Sequence, residues 1–400
     1  MQNTLTLAIF IDALGWKLQR RYGFLDDLLA YRAPLQTVFG YSSTCDPTIL
    51  TGAMPRDHGH FAFFAYAPQR GSFPSSWRYL RGLPKSLTSR GRVRHWMSRI
   101  GRWQLGWTGY FSLYNVPFER LPDLEYTERK DLYRPGGIRG GQPTIFDALA
   151  AASVPTHVSN WRASEAANLR AAESSLVRER PRFSYVYLAA LDGLLHRVGT
   201  EAPEVAAKLR DYEASIRRLV GVAQSLYEDV RLLVFSDHGM RNVDAHCHLK
   251  PRVEALPLTW GKDYGSIFDA TMARFTFANA RAERLIREQL EREPLGAVVS
   301  ADELRHWGCD FRDETYGELI FLLRPGALFV PSDLGEKPLA AMHGYRPEDP
   351  DSVAFFGSNR AMARSPRGLA DLADVMLDGV GAPSLADLRG MESSATREAA

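Results

Sequence analysis

Ser184-Tyr-Val-Tyr-Leu-Ala-Ala-Leu191, followed at once by Asp192, and Arg231-Leu-Leu-Val-Phe-Ser236, followed at once by Asp237, decide the fold. Both are short apolar runs rich in aromatic and β-branched residues, the pattern of strands buried on both faces. Between them Val205, Leu209, Tyr212, Ile216, Leu219, Ala223 and Leu226 recur at helical spacing, which predicts an amphipathic helix of several turns. Thr4 to Ile11 is a third such strand and ends at Asp12. Strand, helix, strand implies a right-handed crossover. The expected fold class is α/β, a mostly parallel central sheet with helices on both faces. Ligands of such sheets collect outside the carboxyl ends of the strands, where all three aspartates fall.

Outward from these stretches, Pro143 to Ala152 and Ala282 to Arg292 read as helices, and Ser266 to Asn279, Leu319 to Leu323 and Val353 to Phe356 as strands. The expected organisation is a catalytic core of residues 1–65 and 143–390, an insertion or cap at 66–142, and a flexible tail at 391–400. At 400 residues, 45% hydrophobic and 24% charged, the chain has the composition of a folded soluble protein. No apolar run reaches the roughly 20 residues of a spanning helix. Leu5 to Leu14 is broken by Asp12 and has no basic leader, so it does not read as a signal peptide. Cys45, Cys247 and Cys309 are too few and odd in number for a disulfide framework. A cytoplasmic location is therefore expected.

The net charge of +2 is unevenly spread. Between Phe61 and Phe118 there is no Asp or Glu, but there are nine basic residues: Arg70, Arg78, Arg81, Lys85, Arg90, Arg92, Arg94, Arg99 and Arg102. Trp77, Trp96, Trp103, Trp107, Tyr79, Tyr110 and Phe111 are interleaved with them. Such a mixture suits an anionic ligand with an apolar or ring-bearing part, or an anionic membrane surface touched by residues 66–142. The bland reading is a solvated basic face over a small aromatic core.

Asp12, Asp192, His196, Asp237, His238 and His343 share one chemical character: acids and imidazoles at strand ends or in Gly-flanked loops. Asp192, His196 and His343 make one tri-ligand set; Asp12, Asp237 and His238, with a serine oxygen, make the second. Mixed carboxylate and imidazole ligation favours zinc, with manganese or iron as alternatives. A two-metal site suits phosphoryl transfer, since paired cations clamp the attacking and leaving oxygens. His246 and His248 flank Cys247 but read as a polar loop, and His58 and His60 read as structural.

The chain resembles the alkaline phosphatase superfamily, in particular its type I phosphodiesterase/nucleotide pyrophosphatase family. Asp-Gly-Leu-Leu-His (192–196), Ser-Asp-His-Gly-Met (236–240) and His-Gly-Tyr-Arg-Pro (343–347) are similar to that family's metal motifs, in order. Thr51-Gly52, Met54-Pro55 and His58-Gly59 are similar to the signature that follows its nucleophile. The resemblance implies an alkaline-phosphatase-like fold, two divalent cations, and a nucleophile ten residues before Gly52. That position is Ser42, also a metal ligand through its oxygen; Ser43 and Thr44 are the fallbacks. As the cap of a helix, Ser42 would hold a transferred phosphoryl group against free N–H groups.

Two departures qualify the resemblance, and one segment invites a different reading. The family's Asn, twenty-one residues beyond the nucleophile, is Phe63 here, and an Arg of the acid-free insertion is the expected replacement donor. Leu195 stands where the family carries Gly. Cys45-Asp46-Pro47-Thr48 suggests a sulfatase, but Cys45 is seven residues before Gly52 rather than ten, and Ile49 replaces the required Arg. The expected activity is metal-dependent hydrolysis of a small phosphate ester through a phosphoseryl or nucleotidyl-seryl intermediate, with no nucleic-acid partner. The alternatives are a phosphonate or lipid-head-group hydrolase or transferase, and an inactive metal-bound binding protein.

Overall fold

The computed structural model describes residues 4–82, 91–362 and 364–390, so the expectations for Lys85, Arg90 and the 391–400 tail fall outside the described residues. A six-stranded sheet forms the centre, in the order Tyr31–Leu35, Ala354–Ser358, Asp229–Phe235, Thr4–Ile11, Phe183–Leu188, Thr156–Val158. Thr4–Ile11 pairs in parallel with Phe183–Leu188 and with Asp229–Phe235. Ala354–Ser358 alone runs antiparallel to its neighbours.

The two-residue period of the first strand sorts its side chains between two cores. Leu5, Leu7, Ile9 and Ile11 join Leu191, Leu195, Val205, Leu209, Ile216 and Ala223 on one face. Ala8 and Phe10 join Ile49, Leu50, Ile145 and Phe146 on the other. The helical spacing read from Val205 to Leu226 is the inward stripe of the Pro203–Leu226 helix. Each fully buried Leu, Ile, Val or Phe among them stabilises the fold by about 1.5–3 kcal/mol.

Two elements differ from expectation. Phe183–Leu188 stops short of Leu191 because the Ala190–Val198 helix begins there. Glu165 accepts a hydrogen bond from the Ala190 amide at 2.8 Å and so holds that helix start. Ser266–Asn279 is a hairpin, Tyr264–Phe268 against Met272–Phe277, within a four-stranded antiparallel sheet. Its reversal is held by the buried Asp269–Arg274 ion pair at 2.8 Å and by Asp269 N–H on the Met272 carbonyl. The pairing of Phe64–Tyr66 with Leu124–Tyr126 closes the base of the basic segment. That segment has an aromatic core of its own: Phe73, Phe111, Phe118 and Tyr126, packed against Ile267.

Candidate metal centre

The three strand ends deliver the aspartates. Asp12 directly follows Thr4–Ile11, and its amide donates to the Leu188 carbonyl at 2.9 Å, tying two strand ends together. Asp237 is fully buried, and its Oδ1 accepts from the amides of Ala13 (3.1 Å) and His238 (3.0 Å). These bonds fix the carboxylate and turn Oδ2 toward His238 Nε2, 2.9 Å away. Asp192 and His196 are not in a loop, as the glycine between them suggested. They sit one turn apart on the Ala190–Val198 helix, which places both on one face. Leu195 lies in the core beneath them, fully buried.

Hydrogen bonds at the far ring nitrogens orient two of the imidazoles. His196 Nδ1 meets the Ala341 carbonyl at 2.8 Å and His238 Nδ1 the Gly239 carbonyl at 2.9 Å. This leaves each Nε2 facing the acids, the arrangement that prepares a histidine for a metal. His343 is held through its neighbour. Gly344 has φ +82°, and a Cβ there would come within 2.5 Å of the Tyr41 ring. Thr271 ties the pair, its hydroxyl 2.9 Å from Tyr41 OH and donating to the Gly344 carbonyl at 2.7 Å.

Six side chains expected as ligands thus gather into two groups: Asp192, His196 and His343; and Asp12, Asp237 and His238. Within each, the candidate ligand atoms lie within 4.8 Å of one another. Ser42 stands beside the second, its Oγ 3.1 Å from His238 Nε2. It is the first residue of the Ser42–Thr51 helix, with Tyr41 rather than Ser42 at the cap position. Of the fallback hydroxyls, Thr44 donates to the Phe61 carbonyl, and the Ser43 hydroxyl is buried with no hydrogen-bond partner among the described residues. His58 anchors the same helix, with Nε2 3.0 Å from the Thr48 hydroxyl and Nδ1 accepting from the His60 amide. His246 and His248 are exposed and join no such group among the described residues.

The electrostatics call for cations. Asp12 Oδ1, Asp192 Oδ1 and Asp237 Oδ2 are buried, and the donors they face among the described residues are the imidazole nitrogens of the same cluster. Burial, then the charges of Asp237 and Asp192, hold the Asp12 carboxyl well above its ordinary range. Burial disfavours a charged His238, but Asp237 and Asp192 outweigh it and push its pKa up to about 9. Burial, reinforced by His238, holds His343 well below the ordinary range. Burial also opposes ionisation of Asp192, yet His196, His343 and His238 together pull it below the usual carboxylate range. Carboxylates this close demand positive charge, and hard or borderline divalent cations fit the oxygen and imidazole donors present.

Neighbouring groups that the motif reading passed over complete the surroundings. Asp46, one turn beyond Ser42, accepts from Tyr133 OH at 2.7 Å; burial and the Asp237 charge push it up to about 8. Its only sequence signal was the Cys45-Asp46-Pro47 segment read for a sulfatase. Phe63 stacks on Tyr114 and lies 5.4 Å from the Tyr110 ring, and the Tyr110 and Tyr114 hydroxyls are 3.0 Å apart. Burial foremost, then the Glu128 charge and more weakly that of Asp192, raises the Tyr110 phenol against the opposing hydrogen bond to Tyr114. The group found beside Phe63 is therefore a tyrosine pair. Arg94 instead donates to the Tyr114 and Val116 carbonyls, and Arg102 lies over Trp161.

A central sheet whose strand ends, with a flanking helix and loop, gather acids and imidazoles beside a hydroxyl at a helix start defines an alkaline-phosphatase-like hydrolase. The family model described as type I phosphodiesterase / nucleotide pyrophosphatase matches residues 6–346, and the chain belongs to that family. It is accordingly a phosphoric ester hydrolase of a metallohydrolase family. No curated protein is matched by sequence. Among solved structures, murine ectonucleotide pyrophosphatase/phosphodiesterase 5 superposes with a TM-score of 0.68 at 14% identity, covering 95% of this chain and 96% of that one. The human protein of the same name gives 0.67 at 12%, with 95% and 96% covered. An inactive threonine-to-alanine variant of the murine protein, in complex with AMP, gives 0.66 at 13%, again with 95% and 96% covered.

Proposed function

We propose that this chain hydrolyses a phosphodiester or pyrophosphate bond of a nucleotide-like substrate through a covalent intermediate on Ser42. The observation that carries this reading is the Ser42 hydroxyl 3.1 Å from His238, at a helix start and beside the acid–imidazole groups. Asp12, Asp237, His238 and the Ser42 oxygen would hold one cation, and Asp192, His196 and His343 the other. Zinc suits this donor set best and manganese is the alternative. When bound, such cations supply Lewis acidity to the phosphoryl and leaving oxygens.

Ser42 Oγ attacks phosphorus in line; the Oγ–P bond forms as the bond to the leaving oxygen breaks. The amides of Ser42 and Ser43, which precede the Thr44 and Cys45 N–H bonds to the Tyr41 carbonyl, would donate to the transferred group. Water then cleaves the Oγ–P bond and restores the serine. Tyr110, whose ring lies against Phe63 and whose hydroxyl meets that of Tyr114, supplies the donor that the family's Asn otherwise gives. The AMP bound to the murine relative supports a nucleotide substrate, and that relative's inactivation by loss of a threonine hydroxyl supports a hydroxyl nucleophile.

The test compares Ser42→Ala and Ser43→Ala in zinc-loaded protein, with an aryl phosphodiester and the matching monoester. Loss of about 10³-fold or more in kcat is expected for the first only. Wild-type turnover by Ser42→Ala would exclude Ser42 as the nucleophile.

A further inference from the structure

The outward face of the Gly91–Gln104 helix has no part in this chemistry. At 3.6 residues per turn, Arg94, Ser98 and Gly101 fall on one side and Trp96, Ile100 and Trp103 on the opposite side. The first set fastens the helix to the body. Arg94 donates to the carbonyls of Tyr114 and Val116 at 2.6 and 3.0 Å, and Ser98 Oγ accepts from the Leu113 amide at 2.9 Å. Gly101 is packed so closely on Trp77 that a Cβ there would lie 2.5 Å from its ring. The second set faces solvent, with Trp96 62%, Ile100 52% and Trp103 81% exposed. Tyr79, 77% exposed, lies on the same Ser75–Gly82 turn that carries Trp77.

Charge accompanies this stripe. Arg92 and Arg99 are exposed and fall beside Trp96 and Trp103 around the helix, and the Arg99 guanidinium rests 5.5 Å from the Trp96 ring centroid. No acidic residue occurs from Phe61 to Phe118, and neither arginine has a carboxylate partner among the described residues. We propose that this outer face, with Tyr79, docks on an anionic lipid bilayer. Tryptophan and isoleucine would enter the boundary between headgroups and acyl chains, while the arginines meet lipid phosphates. A protein partner would be matched by polar pairing groups as well as by apolar area, whereas this stripe offers only large apolar rings and positive charge. No described helix is long and apolar enough to cross a membrane, so the contact is peripheral.

The test is co-sedimentation of the full-length, zinc-loaded protein with vesicles of phosphatidylcholine alone or with roughly 30% phosphatidylglycerol. Partition onto the anionic vesicles alone is expected, weakening as salt rises. Trp96→Ala/Trp103→Ala should cut partition at least tenfold, and Ile100→Asp should do so independently. Arg92→Gln/Arg99→Gln should remove most of the salt dependence. All three should keep wild-type melting and turnover of a soluble diester, so a negative result here leaves the Ser42 reading untouched. Wild-type protein that stays in the supernatant overturns the proposal. So does equal binding to neutral vesicles, an unaffected double tryptophan variant, or capture by single-stranded nucleic acid in place of lipid.

Discussion

His238 and His343 lie face to face, ring centroids 3.7 Å apart and 11° from parallel, although they belong to different ligand groups. Neighbouring acids favour the protonated form of His238, and that charge in turn disfavours protonation of His343. The stack therefore joins the two halves of the site into one electrostatic unit.

Removal of metal is expected to lower stability as well as activity. Divalent cations at Asp12, Asp237 and His238 and at Asp192, His196 and His343 would relieve the repulsion among buried carboxylates. Binding at one hundred times Kd adds about 2.7 kcal/mol per site. Chelation should lower the melting temperature by several degrees and abolish hydrolysis, with zinc restoring both. An unchanged melting curve after verified metal removal would sink the two-cation reading.

Gly344→Ala tests the lock between Tyr41 and the His343 loop. The backbone there has φ +82°, and the added methyl meets the Tyr41 ring. A cost of about 1–3 kcal/mol is expected from strain in the left-handed region. His343 should shift with the loop, so zinc stoichiometry should fall from two toward one. Full zinc content together with wild-type denaturation would show that the loop accommodates the methyl freely.

Much of this was legible in the chain for a simple reason. Asp12, Asp192 and Asp237 each follow an apolar run, and parallel sheets bring such strand ends to one edge. Sequence periodicity also gave the Pro203–Leu226 helix its buried stripe. The helix bearing Asp192 and His196 was missed because Gly193 reads as a loop signal, while its start is set by Glu165, a residue 25 positions upstream of Ala190. The Ser266–Asn279 hairpin was missed because its turn is held by an internal ion pair rather than by Gly or Pro. Tyr110 and Asp46 were hidden because their significance comes from contacts with Phe63 and Tyr133, which no local pattern encodes.

Tyr110→Phe separates the tyrosine from the insertion arginines as the replacement donor. Removing a phosphoryl-oxygen donor costs about 10²–10³ in kcat. That loss is expected with KM nearly unchanged, because the ring and its contact with Phe63 remain. Arg99→Ala should leave turnover of a soluble diester unaltered. The reverse result, a silent Tyr110→Phe and an impaired Arg99→Ala, would return the role to the arginines.

Glu128 gives a pH-dependent signature outside the ligand set. The side chain is buried, and burial together with the Asp46 charge pushes its pKa up to about 8 from an ordinary carboxylate value near 4.5. The folded state therefore binds this proton more tightly than the unfolded chain does. The stabilising contribution is fully present below about pH 4.5 and is lost as pH rises toward 8, at up to about 1.4 kcal/mol per pH unit. Glu128→Gln removes the titration while keeping the shape. The variant should match wild type near pH 4.5 and exceed it at pH 8 and above, by an amount that grows between those limits. Denaturant midpoints taken from pH 5 to 9 read this directly, and parallel curves for the two proteins would place an ionised, well-solvated Glu128 in the folded state.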